Sequence, residues 1–203
     1  MASKQTKVLQ NTDVAIHQTS KAANDANQLN AAGLRPWVSV QPTVGGDLIY
    51  DGNGARISLL LKLSNSGKLP AQQINVQLLA SPVFSSKIDA CLLPPSPIGS
   101  ILFPDHSNIH SVVTSISDDE IAKANTGRPR AERLINPKVS ICIYYKSNLN
   151  DITHRTRYSV HYRMAADKIK PERECCSIFV GDGRISADNL DVGIDPLADD
   201  FAD

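Results

Sequence analysis

An antiparallel β-sandwich is the fold that this 203-residue sequence predicts, and three observations carry the expectation. Between Ala55 and Ala80, Ile57, Leu59, Leu61 and Leu63 fall on alternate positions, and after a polar turn Ile74, Val76, Leu78 and Ala80 do the same. Lys138–Lys146 and Ile152–Met164 form a second pair of alternating runs, separated by Ser147-Asn148-Leu149-Asn150-Asp151. Glycine and proline concentrate in the connections. Period-two alternation marks strands with one face in a core, and the turn residues mark where the chain changes direction. With 41% apolar residues the composition is that of an ordinary globular protein, long enough for one well-buried domain with appendages.

The elements follow in order. Residues 3–32 carry no proline or glycine, and Val8, Ala15, Ala22 and Leu29 recur every seven residues. This predicts a spacer helix about 45 Å long with one thin apolar stripe, capable of weak self-association and ended by Gly33. Arg35-Pro36-Trp37-Val38 opens the β region as a first or edge strand, since Pro36 cannot donate to a ladder. Trp37, the single tryptophan, reads as a plug at the sandwich edge. Asp47–Tyr50 reads as a short strand before the Asp51-Gly52-Asn53-Gly54 turn, and the core pair follows, with Leu60 the exception to its alternation. Residues 81–108, with Pro82, Pro94, Pro95, Pro97 and Pro104, form a loop with short edge strands, and Ile109–Ile116 is another strand. Ser117-Asp118-Asp119-Glu120 is a capping box that starts a short helix ending near Asn125-Thr126-Gly127. In the last strand Ile152, Thr156, Tyr158, Val160 and Tyr162 share one face, and Arg155, Arg157, Ser159, His161 and Arg163 share the other. Residues 188–203 hold six Asp in sixteen positions, a composition that predicts a flexible tail.

The chemistry is sparse. None of the familiar hydrolase, zinc-protease, phosphate-loop or dinucleotide motifs occurs, so no catalysis and no cofactor are expected. His106 and His110 stand four apart across a loop and a strand start, a poor metal site. Residues 182–189 echo a calcium loop but lack its acids where Ile178, Val180 and Asn189 stand. Cys91, Cys142, Cys175 and Cys176 show neither a disulfide framework nor zinc-ligand spacing. Reduced thiols in a cytoplasmic protein are therefore expected, with Cys142 a small buried hydrophobe in its strand.

Charge is the strongest clue to interactions. The net charge is zero, but residues 123–173 hold 12 Lys/Arg against 4 Asp/Glu, a net of +8, and residues 174–203 hold 1 against 8, a net of −7. The row Arg155, Arg157, His161 and Arg163 recurs at about 7 Å along one strand face. It is the candidate site for an anionic ligand, a lipid headgroup or nucleic acid, which the acidic tail could mask. Nucleic acid is the weaker expectation, because no exposed aromatic is interleaved. The plain alternative is a solvated face whose charges discourage edge pairing.

Several of these residues together resemble a family of uncharacterised proteobacterial proteins: Arg35-Pro36-Trp37-Val38, the Asn65-Ser66-Gly67 turn with Pro70-Ala71, Leu102-Phe103-Pro104, the Ser117 helix start and Ile143-Tyr144-Tyr145. In that family a membrane helix and a short spacer helix precede an Ig-like β domain. The resemblance covers about residues 15–165 and implies an Ig-like sandwich held near a membrane. No activity comes with it. No apolar run here reaches the roughly 20 residues that span a bilayer. Membrane association would thus run through an upstream segment or a partner. The reading is a mainly β protein: a helix over 1–33, an Ig-like antiparallel β-sandwich with one inserted helix over 34–166, and an extension over 167–203. Its expected function is a non-catalytic interaction or structural module with a protein partner, in the cytoplasm or at the inner face of the membrane.

Overall fold

The computed structural model describes residues 17–25, 27, 33–148, 152–165, 177–180, 183–194 and 201–202. The expectations for Cys175, Cys176 and most of the N-terminal helix lie outside these residues. Residues 17–25 are helical and exposed, as a spacer with little to bury would be. Gly33 is itself helical, and the helical stretch stops at Leu34. The expected stop at Gly33 is corrected by one residue, because the Pro36 ring drives Arg35 out of helical geometry.

Two antiparallel sheets follow. The first is built on β3 (Gly54–Asn65), which pairs along its length with β6 (Ser107–Ser117). Its other side pairs with β1 (Val38–Val44) and β2 (Leu48–Asp51). Val44 faces Leu59 whereas Ile49 faces Arg56, so β1 and β2 are one strand with two extra residues bulged out at Gly45-Gly46. A Cβ on Gly45 would lie 2.6 Å from the Leu59 carbonyl carbon, so only glycine lets the bulge press this close.

The second sheet runs from β5 (Ser100–Leu102) through β4 (Ala71–Ser81) and β8 (Lys138–Ser147) to β9 (Thr153–Met164). The Asn65-to-Pro70 linker crosses between the sheets, which is why it is too long for a hairpin. A 7-residue helix, α1 (Asp118–Ala124), leaves β6 through the expected capping box: Ser117 Oγ accepts from the Glu120 N–H, and Glu120 accepts the Ser117 N–H at 2.9 Å. β7 (Leu134–Ile135) pairs with β10 (Ile178–Phe179) as a separate two-stranded ladder.

Between the sheets lies one core. Ile57, Leu59, Leu61 and Leu63 from the first sheet and Val139, Ile141, Ile143, Tyr145, Val160 and Tyr162 from the second are completely buried. At about 1.5–3 kcal/mol for each buried large apolar side chain, this layer is the main source of stability.

Three expectations need correction. Trp37 is 39% exposed, with the Arg35 guanidinium 3.6 Å above its ring, so it is a cation-covered surface aromatic and not a core plug. Ile152 lies before β9 begins and is 56% exposed, because the inward alternation starts only within the strand. The extension after 166 contributes sheet where a flexible tail was expected: β11 (Arg184–Ile185) pairs with β2, while β12 (Leu190–Ile194) and β13 (Phe201–Ala202) pair with β9. Leu190, 6% exposed, belongs to the core. The acidic composition hid a second alternation, Leu190, Val192 and Ile194, which reaches a hydrogen-bonding edge on β9.

Candidate interaction surfaces

The basic row lies on the outer face of β9, where strand alternation puts it, but it is not a bare cationic surface. Arg157 Nη1 lies 3.0 Å from Asp89 Oδ2, and Arg163 meets Asp191 Oδ2 at 2.9 and 3.2 Å. The His161 ring stacks on Phe84 with centroids 3.6 Å apart, and Lys138 reaches over the same phenyl ring at 5.8 Å. Arg155 is exposed. From the C-terminal extension, β12 lies alongside β9 with Asp191 opposite Arg163.

Asp89 and Phe84 come from the proline-rich segment 82–99, which crosses the outer face of the second sheet as a strap. Hydrogen bonds and one covalent link hold it there. The Ala90 N–H donates to Ser140 Oγ at 3.0 Å, and the Tyr144 hydroxyl donates to the carbonyls of Cys91 (2.6 Å) and Leu93 (3.0 Å). The covalent link is a disulfide between Cys91 and Cys142, with their Cα atoms 5.1 Å apart. The expectation of reduced thiols is thereby corrected for these two cysteines. Cys142 is buried in a strand as expected, but it points to the outer face, where the strap brings Cys91 within bonding reach.

Among the described residues no group of three or more His, Cys, Asp or Glu side chains could hold a metal ion. His106 Nδ1 is 2.8 Å from the Pro104 carbonyl, at the loop before β6. Residues 184–187 dock on Asp47, which accepts from Arg184 Nε at 2.7 Å and from the Ala187 N–H at 2.8 Å. These two donors hold the Asp47 carboxyl below its ordinary pKa. No helix among the described residues is long and apolar enough to cross a membrane.

A surface that sequence reasoning passed over is the free side of β6. The Gly45 N–H donates to the Ser58 carbonyl at 2.9 Å, so Ser58 turns its main-chain groups toward β1, and Leu59, next along, turns its own toward β6. Alternation then assigns Asn108, His110, Val112, Thr114 and Ile116 to the ladder with β3. The N–H and C=O groups of Ser107, Ile109, Ser111, Val113 and Ser115 point away from it, and no described strand pairs with that side. The same five side chains form the exposed face, with Ile109 70% and Val113 57% exposed. β6 has no Lys, Arg, Asp, Glu or Pro.

The other described edges are short or blunted. β5 has three residues and β11 two. β1 carries Pro42 where an outward N–H would otherwise stand, and the Val38 carbonyl on that side accepts from Thr156 Oγ1 at 2.9 Å. Proline, charge and shortness are the usual protections of a sheet edge. β6 has none of them. The signal was present in the sequence as eleven residues without charge or proline, but alternation alone does not say which strand will lie outermost.

No family model matches the chain, and neither a curated protein nor a solved structure does.

Proposed function

We propose that the chain is a non-catalytic protein-interaction module of Ig-like type, which docks an extended segment of a protein partner along β6. The carrying observation is the uncharged edge from Ser107 to Ser115, with which no described strand pairs. In strand addition the main-chain hydrogen bonds supply affinity, and the alternate side chains, here Ile109 and Val113, supply selectivity. The Ig-like assignment draws support from strand order: β6-β3-β1 facing β9-β8-β4-β5 follows E-B-A facing G-F-C-C′, with no strand D beyond E. An anion site on β9 is the less favoured reading, because Asp89 and Asp191 already offset Arg157 and Arg163.

Placement near a membrane rests on the resemblance at Arg35-Pro36-Trp37-Val38 and is part of the proposal. The compartment is too. A disulfide such as Cys91–Cys142 persists where thiols are oxidised, which favours an oxidising compartment over the cytoplasm expected from the cysteine spacing.

The docking reading is tested by titrating the labelled chain with a capped peptide of alternating threonine and valine, about eight residues long. The backbone amide signals of Ile109, Ser111, Val113 and Ser115 should shift or broaden while those of β1 stay in place. A peptide that leaves the β6 amides untouched at millimolar concentration would overturn it.

A further inference from the structure

From the pattern of β6 we infer that the partner docked on this edge is a second copy of the same chain, its β6 antiparallel to the first across a two-fold axis at Ser111. The inference rests on the docking reading above and adds the identity of the occupant. The open window is bounded at both ends. At its C-terminal end the Ser117 N–H, next in the outward series, is taken by Glu120. At its N-terminal end the chain turns away at Asp105, whose φ is +58°. The window therefore runs from Ser107 to Ser115, and its midpoint is Ser111.

The outward face reads Ser107, Ile109, Ser111, Val113, Ser115, which is nearly the same in both directions. An antiparallel partner centred on Ser111 sets Ile109 opposite Val113 of the second copy twice, Ser107 opposite Ser115 twice, and Ser111 opposite itself. Each facing pair has its N–H and C=O groups turned toward the other strand, as a hydrogen-bonded antiparallel pair requires, for about ten new hydrogen bonds. Aliphatic β-branched pairs are favourable cross-strand neighbours. On the inward face His110 meets Val112 of the second copy, so the two imidazoles do not oppose one another. Arg56 and Lys62 sit one strand back, opposite Ser115 and Ile109. Across the joined edges the two Lys62 side chains are about three strand spacings apart, beyond the Debye length at physiological salt.

Two-fold symmetry needs a surface complementary to itself. An uncharged strand with a near-palindromic face meets that need, and an arbitrary foreign strand would gain nothing from the palindrome. Contact confined largely to one strand edge lies at the small end of interface sizes, under about 1,200 Å², so the dimer is weak and forms with rising concentration.

Sedimentation of the full chain tests this. The wild type should pass from monomer to dimer as concentration rises to about 0.5 mM. Ser111→Lys, and separately Ser111→Glu, should weaken the dimer at least tenfold by setting like charges face to face at the axis, and mixing the two variants should restore association. Ser111 is outward and exposed, so the melting temperature should hold. If the charged variants fail to fold, Ser111→Pro removes the outward N–H without touching the β3 ladder and should also give a monomer. A wild type that stays monomeric at that concentration overturns the inference. So does a dimer that survives Ser111→Lys, which would place self-association elsewhere, such as the N-terminal helix. The two readings fail separately: a monomeric chain whose β6 amides still respond to the threonine–valine peptide refutes self-pairing and leaves the docking edge intact.

Discussion

Asn65, at the end of β3, has each hydrogen-bonding position of its side chain occupied although the residue is 2% exposed. Its Oδ1 accepts from the N–H groups of Trp37 (3.1 Å) and Gly67 (2.9 Å), and its Nδ2 donates to the carbonyls of Leu69 (2.8 Å) and Leu102 (3.1 Å). One amide thus ties the start of β1, the crossover between the sheets and the end of β5. Asn65→Ala strands four main-chain groups and should cost about 2–4 kcal/mol, read as a lower midpoint in urea unfolding. The sequence shows Asn65-Ser66-Gly67 only as a turn; that Trp37 and Leu102 converge on it depends on contacts too distant for any local pattern. Tyrosine is similar. Burial, reinforced by the charge of Asp47, raises the Tyr162 phenol well above its ordinary value, and its hydroxyl donates to the Gly46 carbonyl at 3.1 Å. Burial also raises Tyr144. A phenol raised in the folded state contributes stability that is whole below the unfolded value near 10 and is lost as pH climbs beyond it. The melting temperature should therefore be level from about pH 7 to 9 and fall above about pH 10. Tyr162→Phe should flatten that fall while costing about 1 kcal/mol at neutral pH for the lost hydrogen bond.

The alternation of β3, β4 and β9 was readable because each has one face in the core and the other turned away from it, and that of β8 because its inward Val139, Ile141, Ile143 and Tyr145 alternate with smaller or more polar residues under the strap. The segments that were not readable lack that constraint. β12 is an acidic segment that becomes a strand because β9 offers it an unpaired edge, and the strap is irregular backbone held by a few long-range bonds. Its disulfide was hidden for the same reason: Cys91 and Cys142 are 51 residues apart in sequence, and no spacing rule joins a loop cysteine to a strand cysteine. Cross-linking a loop of that size should stabilise the fold by up to about 4 kcal/mol on the chain-entropy account. Cys142→Ser should approach that loss in denaturant unfolding under oxidising conditions. With reductant present the wild type and the variant should differ far less, and protease should then cut first within residues 82–99. Mass spectrometry of the unreduced digest should recover the Cys91 and Cys142 peptides joined; recovering both as free thiols would remove the bond and the argument for an oxidising compartment.

Across the whole molecule, the division of charge between residues 123–173 and 174–203 left open whether the two meet, and Arg163–Asp191 is one contact between them. What the numbers could not convey is its form. The basic strand gains acidic partners from two directions, β12 alongside and the strap above, so Arg163 and Arg157 each meet a carboxylate. The pairs are modest in energy, about 0.2–1 kcal/mol each where exposed, but they decide what the surface presents. Replacing both carboxylates, Asp89→Asn with Asp191→Asn, should remove these two acidic partners of Arg157 and Arg163 while the disulfide and the β12 ladder keep their elements in place. The variant should elute from a heparin column at higher salt than a control with equal charge removed elsewhere, Asp119→Asn with Asp188→Asn, both exposed. The comparison separates a local unmasked face from a general gain of two positive charges, because only a clustered set of cations gives a steeper dependence on salt. Equal elution of the two variants would mean that the arginine row gains no hold on a polyanion when its two carboxylate partners are removed, and would count against the anion-binding reading of β9.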